Sequence, residues 1–432
     1  MAIEKPREIA LRVIQKAFES DEILDRIMGD SLSNPKLEPR DRALIQELVF
    51  GVIRSRRLID HLLSRLVERR PSANLQSALQ LGLYQLLFLT RIPDYAVVDE
   101  MVNIVKRMAG VPQGRFVNAV LRRAVRDRES LVESIESLKE TRPELAFSCP
   151  DWLFRRWEAR LSPDDLRSLL EWQNQVPDIF GRLNRLKMNE DELESRAVTE
   201  GLKLVPMKLS WESTARMFRI ENASGIAQRE SFKMGGYYIQ DPSTLLSVDV
   251  LDPQSGERVL DLCSAPGGKT AFVAEKMNNT GEIVACDAVG SRLELVEENA
   301  QRLGIDIVSR MLVNESALPE RLIGSFDRVL ADVPCSNTGV LRRRVDLRWR
   351  LRQSEIRLLS NRQLALLQRA ASAVKPGGRL VYSTCSLEPE ENGDVIERFL
   401  RDIPEFSLIS ERQLTPYEDS CDGAYVALLA KS

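Results

Sequence analysis

The chain has one histidine, six cysteines and few aromatic residues, and each scarcity closes off a class of function. A lone His61, with cysteines scattered at 149, 263, 286, 335, 385 and 421 and no CxxC pair, does not make the usual zinc sets. No metal is expected. So few thiols, so widely spaced, do not form a disulfide framework either, and they read as reduced thiols of a cytoplasmic protein. No apolar run approaches the ~20 residues that span a bilayer, and the opening MAIEKPREIA carries no apolar signal core. Charge of one sign is also lacking: 61 basic and 64 acidic residues leave −3. Residues 1–140 hold 23 basic and 20 acidic residues, a net of +3, so the remainder carries −6. Overall charge does not announce a nucleic-acid partner, and local clusters must make that case.

What is present divides along the chain. At 432 residues two or three domains are expected, large enough to bury full cores without staples. Residues 1–140 read as all helix: Ile9, Val13 and Ala17 recur at helical spacing, as do Leu75, Leu79 and Leu83. His61, amid Leu58, Leu62 and Leu63, belongs to such a helix as a structural residue. TRPELAFSCP (141–150) breaks the pattern with two prolines and reads as a linker. Residues 151–234 mix helix and strand and predict a small α+β domain that positions substrate. From 235 to 432 strand-like runs alternate with helical ones: RVLDLC, EIVACD, VSRMLV, FDRVLADV, GRLVYSTC and finally AYVALLAK. That alternation predicts a doubly wound, Rossmann-like α/β domain with its ligand at the C-terminal ends of the strands.

The stretch DLCSAPGGKT (261–270) organises this last domain. A buried strand runs into a Gly-rich turn and then into a helix, the first unit of a nucleotide-binding βαβ fold. Pro266, Gly267 and Gly268 let the backbone approach a ligand, and the helix N-terminus offers free N–H groups. Cys263, Ser264, Ala265 and Lys269 complete the cofactor stretch. Asp287 closes the next strand, where an acidic side chain can take both ribose hydroxyls. A P-loop is excluded, because the glycine it requires five positions before Gly268 is Cys263. Two further cysteines end later strands, in ADVPCSNTG (331–339) and YSTCS (382–386). Neighbouring strands lie roughly 4.8 Å apart, so Cys335 and Cys385 can face one pocket. Either cysteine alone reads as an inert small hydrophobe. The pair at matching strand ends, one preceded by Asp-x-Pro, does not.

DLCSAPGGKT, DVPCSNTG and YSTCSLEPEEN together resemble the motifs of S-adenosylmethionine-dependent RNA (cytosine-C5)-methyltransferases. GRLNRLK resembles the Arg-x-Asn segment that precedes the catalytic domain in RNA cytosine methyltransferases. RDRALIQELVFGVIR, LQLGLYQLLFLTRIPDYAVVDEMVNIVK and GRFVNAVLRR resemble the NusB-like helical module, which implies RNA contact. The combination resembles the bacterial Sun/Fmu (RsmB) type, whose members methylate 16S rRNA, and the resemblance covers nearly the whole chain. The resemblance implies that Cys385 is the nucleophile toward C6 of cytosine and that Cys335 assists release. It implies Asp332 at the N3/N4 edge of the base and in the cofactor pocket, with S-adenosylmethionine along 263–269, Asp287 on its ribose and Asn314 at its adenine.

Some positions depart from that pattern. Asn314 stands where the family usually has Asp, losing a charge but keeping an acceptor. LRRRVDLRWR lacks the usual His-Pro before Asp346, yet it is rich in arginine. Arg342, Arg343, Arg344 and Arg348, beside Trp349, are expected to contact RNA phosphates near the base. Arg54, Arg56, Arg57, Arg122, Arg123, Arg126 and Arg128 could add contacts from the helical domain. The expected partner is 16S rRNA and the expected state a monomer. Two alternatives stay open: the same chemistry on another RNA such as tRNA, or an inactive RNA-binding assembly factor.

Overall fold

The computed structural model describes residues 5–314 and 317–432. It divides into two units, one comprising residues up to Val176 with Leu341–Arg350, the other Pro177–Val340 with Leu351–Ser432.

The first unit is helical: Pro6–Glu19, Leu24–Leu32, Pro39–Arg54, Arg56–Leu66, Ala73–Phe88, Asp94–Ala109, Val111–Arg126 and Arg128–Thr141, then Pro143–Ala146, Asp151–Glu158 and Pro163–Asn174. Prolines open several of these helices, where their missing N–H costs nothing. Ser162 caps Pro163–Asn174 by accepting from the Asp165 N–H at 3.2 Å. Helix Ala73–Phe88 is buried on every side from Ser77 to Leu86, which makes it the central helix of the bundle. Gly51 admits the ring of Tyr84 so closely that a Cβ there would lie 2.0 Å from it.

The bundle runs past the boundary expected at 140. Helices Asp151–Glu158 and Pro163–Asn174, expected in a separate substrate-positioning domain over 151–234, belong to the helical unit. So does 341–350. Their amphipathic faces looked alike in sequence, and only packing decides which core they join.

The second unit holds two sheets. β1 (Phe180–Leu183), β2 (Lys203–Pro206), β3 (Met217–Glu221) and β4 (Tyr237–Ile239) form a small antiparallel sheet in the order β2-β3-β1-β4. The main sheet holds β5 (Arg258–Asp261), β6 (Glu282–Asp287), β7 (Val308–Leu312), β8 (Phe326–Asp332), β9 (Val374–Thr384), β10 (Phe406–Leu414) and β11 (Ala424–Lys431). Its order is β10-β11-β9-β8-β5-β6-β7, with β5 to β9 parallel and β10 and β11 antiparallel. Every expected strand of this domain forms, and β10 is an addition. Alternate residues face opposite layers: Leu260, Val284, Val329 and Leu380 pack on one side, Val259, Ile283, Leu330 and Val381 on the other. The strand order reverses between β5 and β8, which fixes the crevice where such folds bind ligands.

The small sheet is bolted to the main one by the residues of GRLNRLK. Arg182, on β1, is buried, pairs with Glu275 and stacks over Phe272 at 4.7 Å. Both of these partners lie in helix Gly268–Lys276, which follows the glycine turn. Asn184 donates to the main-chain oxygens of Gly235 (2.8 Å) and Leu303 (2.9 Å). These side chains hold the framework together.

Candidate active site

The glycine turn forms as its sequence dictates. Ser264 gives both its N–H (2.9 Å) and its hydroxyl (3.0 Å) to the Cys286 carbonyl, tying the turn to the end of β6. Gly267 sits at φ 101°, a conformation that L side chains avoid, and starts helix Gly268–Lys276. A Cβ on Gly268 would lie 2.7 Å from the ring of Tyr238. Arg292 donates to the Ala265 carbonyl (2.8 Å), Asn299 to that of Pro266 (3.0 Å). Tyr238 is a wall of this turn that carried no signal of its own in the sequence.

Asp287 ends β6 buried, its carboxylate receiving the Val289 N–H at 3.0 Å and facing Arg292 at 3.4 Å. The Val313 N–H bonds the Asp287 carbonyl (3.1 Å), which places the chain leading to Asn314 beside it. The Asn314 side-chain oxygen, however, accepts from the Ala317 N–H at 3.2 Å, turning that acceptor to its own loop. Behind the turn, Asp261 is buried; its Oδ2 takes the Thr270 hydroxyl (2.7 Å) and its Oδ1 has no partner. Burial outweighs that hydrogen bond and, with Asp332 nearby, pushes Asp261 up to about 7. A glycine cradle, a buried acid at the next strand end and an orphaned carboxylate oxygen fit a nucleoside cofactor carrying a cationic centre.

The two cysteine loops start from paired strand ends. Asp332 on β8 lies in register with Ser383 on β9, and the Ser383 hydroxyl donates to Asp332 Oδ1 at 2.7 Å. The chains then run on to Cys335 and Cys385, whose sulfurs stand 3.1 Å apart. The Cys385 N–H points at Cys335 Sγ (3.3 Å), and Cys385 Sγ meets Asn337 Oδ1 at 3.2 Å. Gly339 is needed because a Cβ there would run into the carbonyls of Gly423 (2.5 Å) and Cys385 (2.8 Å). The hydrogen bond with Cys385 and burial together hold the Cys335 thiol far above the ordinary range, so it keeps its proton.

Lys269, expected on the cofactor, turns its ammonium to Asp332 Oδ2 at 2.7 Å. Burial pulls that ammonium down, but Asp332 more than offsets this and its pKa ends above the usual lysine value. Cys263 is pushed up to about 12 by burial and the surrounding carboxylates, so it is no nucleophile. The ends of β5, β8 and β9 thus bring a carboxylate, an ammonium and two thiols to one place. Several residues that hold them had no signal of their own in the sequence: Asn337, Ser383 and the buried carboxylate of Glu391, which bonds both cysteine loops.

The chain matches the family model described as 16S rRNA methyltransferase RsmB/F over residues 248–430, and the NusB family over 4–126. It is 34% identical to the probable ribosomal RNA small subunit methyltransferase B of Synechocystis, over 99% of both chains. The chain belongs to the RsmB/F methyltransferase family. Ribosomal RNA small subunit methyltransferase B of Vibrio cholerae is 32% identical over 94% of each chain. One solved structure covers 100% of both chains at 26% identity with a TM-score of 0.79. A methyltransferase homologue from Pyrococcus horikoshii covers 65% of this chain and 95% of its own, at 29% identity and TM-score 0.57.

The expected arginine cluster needs correction. Arg342 and Arg348 are each only 2% exposed, so neither can grip an RNA phosphate. Arg348 donates to the carbonyls of Arg54 (3.1 Å), Phe147 (3.1 Å) and Gln173 (2.9 Å). Those carbonyls end three helices, where main-chain oxygens lack partners and the helix dipole is negative. Arg342 stacks on Trp172 at 3.8 Å, and Arg344, the exposed member, pairs with Asp25. Arg343 is half-buried. Exposed basic side chains instead line a groove of about 930 Å³ between helices Asp94–Ala109 and Val111–Arg126: Lys106, Arg115, Arg122 and Arg126, with Tyr95.

Proposed function

We propose that the protein transfers the methyl group of S-adenosylmethionine to C5 of a cytosine in 16S rRNA, through a covalent bond between Cys385 and C6. The 3.1 Å approach of the Cys335 and Cys385 sulfurs, beside the Asp332–Lys269 pair, carries this reading. Family membership and the names of the relatives support the RNA substrate.

Cytosine C5 is too weak a nucleophile to take a methyl group unaided. The Cys385 thiolate adds at C6, forming the S–C6 bond and moving the C5=C6 electron pair toward C5 and the ring. Asp332 bonds the N3/N4 edge and supplies the proton that offsets the negative charge developing in the ring, taking it back as the C5=C6 bond re-forms. The cofactor, held by the 263–269 turn with Asp287 on its ribose, supplies a methyl group on a cationic sulfur for C5. The C5 proton then leaves, the C5=C6 bond re-forms and the Cys385 thiolate is expelled.

The thiol pair orders these events. While Cys385 is free, its hydrogen bond is the largest influence keeping Cys335 protonated. Once the Cys385 sulfur is bonded to C6 that influence is gone, so Cys335 can lose its own proton to solvent and, as the thiolate, take the C5 proton in the release phase. The single test is a pair of variants incubated with 16S rRNA and S-adenosylmethionine, followed on denaturing gels. Cys385→Ala is expected to lose both methylation and any covalent protein–RNA species. Cys335→Ala is expected to accumulate that species. An adduct from Cys385→Ala instead would reverse the roles, and none from either would remove the covalent mechanism.

A further inference from the structure

Glu391 follows the second cysteine loop in SLEPEEN and is 0% exposed. A fully buried carboxylate needs a structural or chemical reason, because desolvating it is costly. Every donor that it faces comes from the two cysteine loops or from the helix behind them. Its Oε1 accepts the Ser336 N–H (2.9 Å) and Gln363 Nε2 (2.8 Å). Its Oε2 takes the Ser386 hydroxyl (2.5 Å) and the Ser336 hydroxyl. Ser336 directly follows Cys335, and Ser386 directly follows Cys385. Gln363 also donates to the Pro334 carbonyl at 2.9 Å, on the other side of Cys335. The Tyr382 hydroxyl anchors the Glu391 main chain at 2.6 Å.

We propose that Glu391 is a positioning residue, a single carboxylate that clamps the residue after each catalytic cysteine and so sets the Cys335–Cys385 sulfur contact. Structural packing alone would be served by an apolar side chain. A carboxylate is needed because hydroxyl and N–H donors converge on it from both loops. Glutamine has the same shape but offers an NH2 toward donors, so Glu391→Gln keeps the volume and breaks the clamp. The other titratable groups around the thiols are Lys269, Asp332 and Tyr382, and the clamp leaves the Lys269–Asp332 pair untouched. The inference rests on the proposed roles of the two cysteines for its catalytic meaning, but not for its geometry.

The experiment labels the full-length wild type and Glu391→Gln with iodoacetamide at fixed pH, reading each cysteine by peptide mass spectrometry. Cys335, no longer held by Cys385, is expected to label at least about fivefold faster. In turnover, kcat is expected to fall by at least about tenfold, with KM for S-adenosylmethionine within about twofold of wild type. Should Glu391→Gln not fold, Ser336→Ala and Ser386→Ala each free one loop, and Ser386→Ala is expected to slow adduct formation while Ser336→Ala prolongs the adduct. Unchanged labelling of Cys335 in the folded variants would overturn the clamp, whatever their activity. Altered labelling in an enzyme that never methylates RNA would support the clamp and sink the proposed function instead.

Discussion

Asp261 shows how one residue can carry a cost that its fold accepts. Its carboxyl is pushed up to about 7 by burial, against roughly 3.9 in an unfolded chain. Between those values the folded state holds more protons than the unfolded one. The stability contributed by the protonated carboxyl must therefore fall as pH rises through that window, and that contribution is gone above about pH 7. Asp261→Asn keeps an acceptor for Thr270 and carries no charge. Its unfolding free energy is expected to gain on wild type as pH goes from 5 to 8, by on the order of a few kcal/mol, read by urea unfolding at each pH. Parallel pH curves for the two proteins would mean that Asp261 stays neutral or solvated throughout. At this scale the sequence was informative where a side chain ends a strand: Asp287, Asp332, Cys335 and Cys385 all stand there. It was silent on Glu391 and Ser383, whose roles come from partners distant in sequence or across a strand pair.

Elements were legible wherever hydrophobic spacing is repetitive, and misread where polar residues are drawn into a core. The run LRRRVDLRWR looked like a basic surface because arginine is rarely buried. Its Val345 and Leu341 are buried too, and Trp349 gives its ring N–H to the Ile53 carbonyl at 2.7 Å. The segment is thus a plug that satisfies helix ends, and burial pulls Arg348 down to about 10. Arg348→Leu would leave several buried carbonyls unsatisfied, each worth about 1–3 kcal/mol. The expected outcome is a loss of at least about 3 kcal/mol in urea unfolding of the helical unit. RNA affinity at a temperature where the variant is folded should be unchanged. A stable variant with weakened RNA binding would restore Arg348 to the interface.

Across the whole molecule, the alternation of strands with helices made the catalytic fold plain, while the borders between units could not be read. Leu341–Arg350 leaves one unit in sequence and packs in the other, and no local pattern marks such an excursion. The residues proposed for the chemistry lie in the Rossmann-like unit, and a groove lined by four basic side chains lies in the helical one. That division makes a separable prediction about RNA. Arg122 and Arg126 are exposed and line the groove with Lys106 and Arg115, so each is placed to neutralise a phosphate. Replacing both with alanine is expected to lower the salt dependence, reducing the slope of log K against log salt by about 2. Because neither touches the thiols, kcat at saturating RNA should remain at its wild-type value while the RNA KM rises. The two arginines also lie on the outer faces of their helix, so melting temperature should shift little. An unchanged slope would confine phosphate contact to the catalytic unit and leave the groove with no part in holding RNA.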